Sequence, residues 1–192
     1  MIESKRGGWK SRKWLGPLVA LTVAILFVPA ALFAQGEPYT YSVDLLGSIG
    51  GSPDLQGNRF GNAGFEAGFS MVTQPETLLG VRVGHLGLGG SKGFDGLSSA
   101  GLDYLTVGGE YRFAESYFDS GLFLGLGAYR LSGTLASGRS DNQTQLGLTL
   151  GSTGDFPINR SLSILVQISA HYANFHQTQF FAMAQGGVAY HF

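Results

Sequence analysis

The chain has 192 residues, a formal net charge of −1 and only 13 % charged residues, about half the share usual in soluble domains. Glycine is abundant at 31 residues, aromatics make up 12 %, and cysteine is absent. These values exclude disulfides and thiol chemistry, a basic field for nucleic acid and a solvating acidic tail, and they are consistent with one domain.

Residues 1–14, MIESKRGGWKSRKW, carry Lys5, Arg6, Lys10, Arg12 and Lys13. The uncharged run LGPLVALTVAILFV follows, and then PAALFAQ, in which Pro29 interrupts the apolar stretch and small residues precede Gln35. This basic, apolar, small-residue order is that of a secretory signal peptide. Cleavage is expected after Ala34, with Ala30 and Ala31 as alternatives, giving a signal peptide over 1–34 and a mature domain over 35–192. The apolar run is short for a spanning helix and contains Pro29 near its end, which argues against a retained anchor.

From residue 39 onward the apolar period is two, the signature of strands. The first segment sets Tyr39, Tyr41, Val43 and Leu45 against Thr40, Ser42 and Asp44. The second sets Phe65, Ala67, Phe69 and Met71 against Glu66, Gly68 and Ser70. In the third, Leu79, Val81 and Val83 oppose Gly80, Arg82 and Gly84; in the fourth, Leu105, Val107, Tyr111 and Phe113 oppose Thr106, Gly108, Glu110 and Arg112. The fifth, GLFLGLGAYRL, reads either way; Leu122, Leu124, Leu126 and Ala128 are taken as outward, so that Gly125 and Gly127 face a crowded interior. The sixth opposes Leu146, Leu148 and Leu150 to Gln145, Gly147 and Thr149. The seventh opposes Leu162, Ile164, Val166, Ile168, Ala170 and Tyr172 to Ser163, Gln167, Ser169 and His171. The last places Phe180, Ala182, Ala184, Val188, Tyr190 and Phe192 on one parity, and Gln185, Gly187 and His191 on the other.

The connections alternate. GSPDLQGNRFG, GGSKGFDGLSSAG and SGTLASGRSDN are long and polar, whereas TQPET, AESYFD and FPINR are short. Segments of about nine to eleven residues, joined by long loops on one side and tight turns on the other, predict an all-β, eight-stranded antiparallel up-and-down transmembrane β-barrel. The polar rows are small and the apolar rows large, which suits a narrow lumen and an oily exterior. A soluble sandwich has the opposite need, with its bulk inside. Aromatics are expected as two girdles: Tyr39, Phe113, Tyr117, Phe118, Phe156 and Phe192 at the rim bearing the termini, and Phe60, Tyr129, Tyr172, Phe175 and Phe180 at the loop rim.

The terminal GGVAYHF, with Val188, Tyr190 and Phe192 on one parity, resembles the C-terminal signal that the barrel-assembly machinery reads in bacterial outer-membrane proteins. Together with the leader, the eight segments and the loop pattern, it makes the chain similar to the OmpX/OmpA-type family of small outer-membrane β-barrels. That resemblance implies residence in the bacterial outer membrane as a monomer, contact with outer-membrane lipids and lipopolysaccharide, and extracellular loops open to a ligand. It implies a non-enzymatic protein of surface interaction or envelope integrity, without cofactor or metal.

Glu66, Arg82, Glu110 and Arg112 share inward parity on three neighbouring segments, with Asp44 and His171 as further candidates. Two acids balance two bases. Such charges can serve an ion path or a narrow pore; the favoured reading is a plug, because eight strands enclose a lumen that side chains fill. GHLGLGGSKGF lacks the phosphate-loop spacing and no helix follows it. SAHYANFHQ is similar to the H-x-S-N stretch of the lipid A 3-O-deacylases, which implies His171 as base, with Asn174 matching the motif's last position. Ala173 then occupies the nucleophile position and Gln185 that of the orienting carboxylate, so the match lacks a group that can attack an ester.

Overall fold

The computed structural model describes residues 41–53, 60–89, 97–114, 118–135, 138–159, 161–176 and 178–192. The expected signal peptide, Tyr39, Tyr117 and the tip of the first loop lie outside the described residues. Eight strands follow in chain order: β1 (Tyr41–Gly51), β2 (Asn62–Gln74), β3 (Thr77–Gly89), β4 (Leu97–Ala114), β5 (Asp119–Leu135), β6 (Ser140–Pro157), β7 (Leu162–Ala173) and β8 (Phe180–His191). Each pairs antiparallel with the next, and β1 pairs with β8, so the sheet closes. At the seam Val43 faces Tyr190 and Leu45 faces Val188. Closure leaves no strand edge unpaired, which is the condition for a sheet to cross hydrocarbon.

The expected facing holds on all eight strands, including β5, where Leu122, Leu124 and Leu126 point out and Phe123 and Gly125 point in. The outer wall is therefore apolar. Leu146 is 76 % exposed and Ile168 64 % exposed, within a continuous belt that also holds Leu45, Leu105, Leu126 and Val166. An exposed apolar surface of this extent on a closed barrel is the lipid face of a transmembrane protein.

Three expectations need correction. β4, β5 and β6 run to 18, 17 and 18 residues, well beyond a membrane crossing. Much of the two expected loops after β3 and β5 is strand, because paired backbone continues past the apolar belt while the outer face turns polar. Tyr129 and Phe175 do not belong to a girdle; both point inward and are buried. Finally, the interior is not a small polar row throughout: its lower half, nearer the chain termini, sets charged side chains among Leu78, Phe123 and Leu165. Toward the loops it is filled by Leu86, Leu88, Leu102, Leu131, Phe181 and Met183, packed around those two rings. Glycine makes room for this filling: a Cβ on Gly84 would stand 2.3 Å from the Tyr104 ring.

The lumen charge network as candidate functional site

The four charged residues singled out by parity meet inside the barrel. Glu110 on β4 is the hub. It accepts from Arg82 Nη2 on β3 at 2.9 Å, from its neighbour Arg112 Nε at 3.1 Å and from Thr153 Oγ1 on β6 at 2.8 Å. Arg82 also lies 3.9 Å from Glu66 Oε1 and stacks its guanidinium 3.8 Å above the Phe123 ring. Glu66, only 1 % exposed, accepts in turn from Tyr104 OH at 2.6 Å and from Gln167 Nε2 at 3.2 Å. Charge-assisted bonds of this kind are what a buried carboxylate requires.

Sequence reasoning misses Asp155. Arg112 donates from Nη1 to Asp155 Oδ2 at 3.0 Å, and His191 Nε2 lies 3.7 Å from the same oxygen. The signal is present, since Asp155 shares the odd parity of Thr149 and Thr153, but the clear alternation of the sixth segment ends near Gly151. Asp44 lines the same cavity as Arg82, Glu110 and Arg112, and its Oδ1 is buried without a hydrogen-bond partner. The expected balance of two acids and two bases is thus overturned: carboxylates outnumber guanidiniums in the lower lumen.

Above this layer a neutral polar layer links Gln167, Gln185, Ser169 and His171. His171 joins Tyr129 OH at 3.0 Å through Nδ1, and its ring lies 5.0 Å from that of Tyr104. The apolar cluster follows. The void among Asp44, Arg82, Glu110 and Thr149 measures about 30 Å³, room for one or two waters and no more. Nearer the termini, a wider vestibule of about 290 Å³ is lined by Tyr41, Glu76, Arg112, Asp119 and His191. The arrangement can hold charge and seal a tube.

His171 and Ala173 are both buried inside the barrel, Gln185 lies opposite Gln167 and reaches His171 only through Ser169, and Asn174 is exposed and accepts from Gln179 Nε2 at 3.0 Å. This set does not face lipid. Among the described residues no cluster of His, Cys, Asp and Glu has metal-holding geometry.

At the seam, Phe192 donates its N–H to the carbonyl of Tyr41 at 2.9 Å, and Tyr41 donates back at 2.7 Å. The Phe192 ring is exposed and lies 5.8 Å from that of Tyr41 and 6.0 Å from that of Tyr190. Val188 and Tyr190 point outward on the same face.

No protein-family model and no curated protein matches the chain. Its structure is similar to a major outer membrane protein from Thermus thermophilus, with a TM-score of 0.64 at 13 % identity over 81 % of this chain and 100 % of that one. It is similar to Neisserial surface protein A, with a TM-score of 0.57 at 15 % identity over 79 % of this chain and 96 % of that one. Ail, the attachment invasion locus protein of Yersinia pestis, gives a TM-score of 0.52 at 15 % identity over 80 % of this chain and 97 % of that one. At these identities the likeness establishes the fold: the chain is an eight-stranded barrel of the small outer-membrane type.

Proposed function

We propose that this chain is a non-enzymatic resident of the bacterial outer membrane that works through its extracellular end, in surface interaction or envelope integrity, and not by conduction. The observation that supports this most directly is the filled lumen, occupied by ionic, polar and apolar layers in series. A barrel sealed in this way offers a partner its loops and its outer wall. Attachment, named in the description of Ail, is the first activity to test. Replacing residues 54–59 and 90–96 by short Gly/Ser turns is expected to leave the heat-dependent gel mobility of a closed barrel intact while reducing cell adhesion or serum resistance. Assembled variants that behave as wild type in both assays would overturn the reading.

In the same reading Val188, Tyr190 and Phe192 form the feature engaged by the barrel-assembly machinery. Phe192→Ala removes an exposed ring at the pair that closes β8 on β1, a loss of about 1 kcal/mol or less for a rim contact. The expected result is a severalfold lower yield of assembled barrel in cells, with an unfolding midpoint close to wild type after refolding in vitro. A wild-type yield in cells would contradict the assignment.

A further inference from the structure

The outward rows are apolar along most of their length, but on one side of the barrel they end in a polar row. His85 on β3 is in register with Asp103 on β4, Asp103 with Arg130 on β5, and Arg130 with Thr144 on β6. All four point outward on the loop side of the belt. At the corresponding end of the other four strands stand Tyr172, Phe180, Ile49 and Phe65, none of them charged. The charged row is therefore confined to one wall.

Within the row the partners are unequally shared. His85 donates from Nδ1 to Asp103 Oδ1 at 2.7 Å although the two side chains are 41 % and 52 % exposed. The imidazole is held there from two sides. Gly101 lets the ring lie across β4, since a Cβ at that position would stand 3.0 Å from His85 Cε1, and the Phe65 ring lies 5.9 Å away. Asp103 is thereby engaged, and Arg130, its other neighbour, is exposed and has no ion-pair partner among the described residues. One row toward the membrane centre, Leu105, Ala128 and Leu146 are in register. The small Ala128 between two exposed leucines forms a notch directly beneath Arg130.

An unpaired guanidinium above an apolar notch matches an anionic head joined to an acyl chain. A guanidinium recognises phosphate with paired donors, and the interface is where a cation on a membrane wall meets such heads. We propose that this wall binds one phosphate-bearing lipid of the leaflet covering the loop end, with Arg130 on the phosphate, Thr144 beside it and an acyl chain in the notch at Ala128. In an outer membrane that lipid is of the lipid A class. The inference rests on the proposed outer-membrane residence.

The test uses the refolded mature barrel in detergent micelles and native mass spectrometry. The probes are bisphosphorylated lipid A, the same lipid with its phosphates removed, and inorganic phosphate. Bisphosphorylated lipid A is expected to bind, with the dephosphorylated lipid and Arg130→Ala each weakening binding about tenfold or more. Arg130→Lys should fall between, and Arg139→Ala, in the β5–β6 turn, should bind as wild type. Arg130→Gln replaces the alanine variant if the latter fails to show the heat-dependent mobility of a closed barrel. Wild-type affinity in the Arg130 variants, equal binding of the dephosphorylated lipid, or displacement of the lipid by equimolar inorganic phosphate would each overturn the proposal. A wild-type chain without heat-dependent mobility would instead bring down the membrane-barrel reading itself.

Discussion

Arg82→Ala is expected to lower the unfolding free energy of the refolded barrel by about 3 kcal/mol or more, within the range for breaking a buried ion pair on one side. The side chain spans two carboxylates, Glu110 at 2.9 Å and Glu66 at 3.9 Å, and covers the Phe123 ring. Its removal leaves both acids in the lumen. The loss should sit toward the lower end of that range, because Glu110 keeps Arg112 and Thr153, and Glu66 keeps Tyr104 and Gln167. Adding Glu110→Ala should recover part of it, with a coupling of about 0.5–3 kcal/mol. Arg82→Lys should be intermediate, since an ammonium cannot serve both carboxylates in one plane or lie flat on the ring. Both tryptophans, Trp9 and Trp14, fall in the expected signal peptide, so denaturant unfolding is best followed by circular dichroism and gel mobility. A loss below about 1 kcal/mol, or strict additivity of the two substitutions, would show that the network contributes nothing specific to stability.

Alternation makes most of this architecture legible without coordinates. One face of every strand is oily because lipid covers it, and a period of two writes that face directly into the sequence. Glu66, Arg82, Glu110 and Arg112 are legible for the same reason: a charge has one tolerable direction in such a wall. Sequence and structure part where lipid stops imposing the contrast. Beyond the belt the outer face of β4–β6 turns polar, as at Asp103, Arg130 and Thr144, and the inner face of β4 and β5 turns apolar, as at Leu102 and Leu131. The pattern there inverts without a break in the strand, so paired backbone looks like loop. Tyr129 looks like a girdle residue because the apolar pattern of the fifth segment stops beside it, although the outward row Leu122, Leu124, Leu126 and Ala128 already gives it inward parity; Phe175 lies beyond the end of β7, where parity no longer decides. Asp155 is hidden because β6 continues through the small residues Ser152 and Gly154, which are tolerated because the wall is held there by β5 and β7 on either side.

Planar-bilayer recording of the wild-type barrel at moderate salt is expected to show no steady conductance, and two single substitutions of large energetic effect are expected to leave it silent. Phe181 is buried in the apolar cluster, edge-on to Phe175 with ring centres 6.1 Å apart and close in sequence to buried Met183. Phe181→Ala should cost about 3–5 kcal/mol, the usual penalty for emptying an aromatic site in a packed core. It opens space only in the loop-side half; the ionic layer below still closes around a void of about 30 Å³. Arg82→Ala thins the ionic layer and leaves the apolar cluster, through which an ion would have to pass without its hydration shell. Resistances in series predict current only when both are weakened. The milder pair Phe181→Leu with Arg82→Lys keeps enough of each layer for the barrel to assemble, and it should give brief openings where neither single change gives any. The two layers also fail in different solvents. Salt screens the ionic layer at its open vestibule and leaves the apolar cluster unaffected, so raising the salt should bring brief openings to Phe181→Ala and none to wild type. A steady channel at moderate salt in wild type, or in either single variant, would mean that the layers do not act in series, and the lumen would then have to be read as a pore.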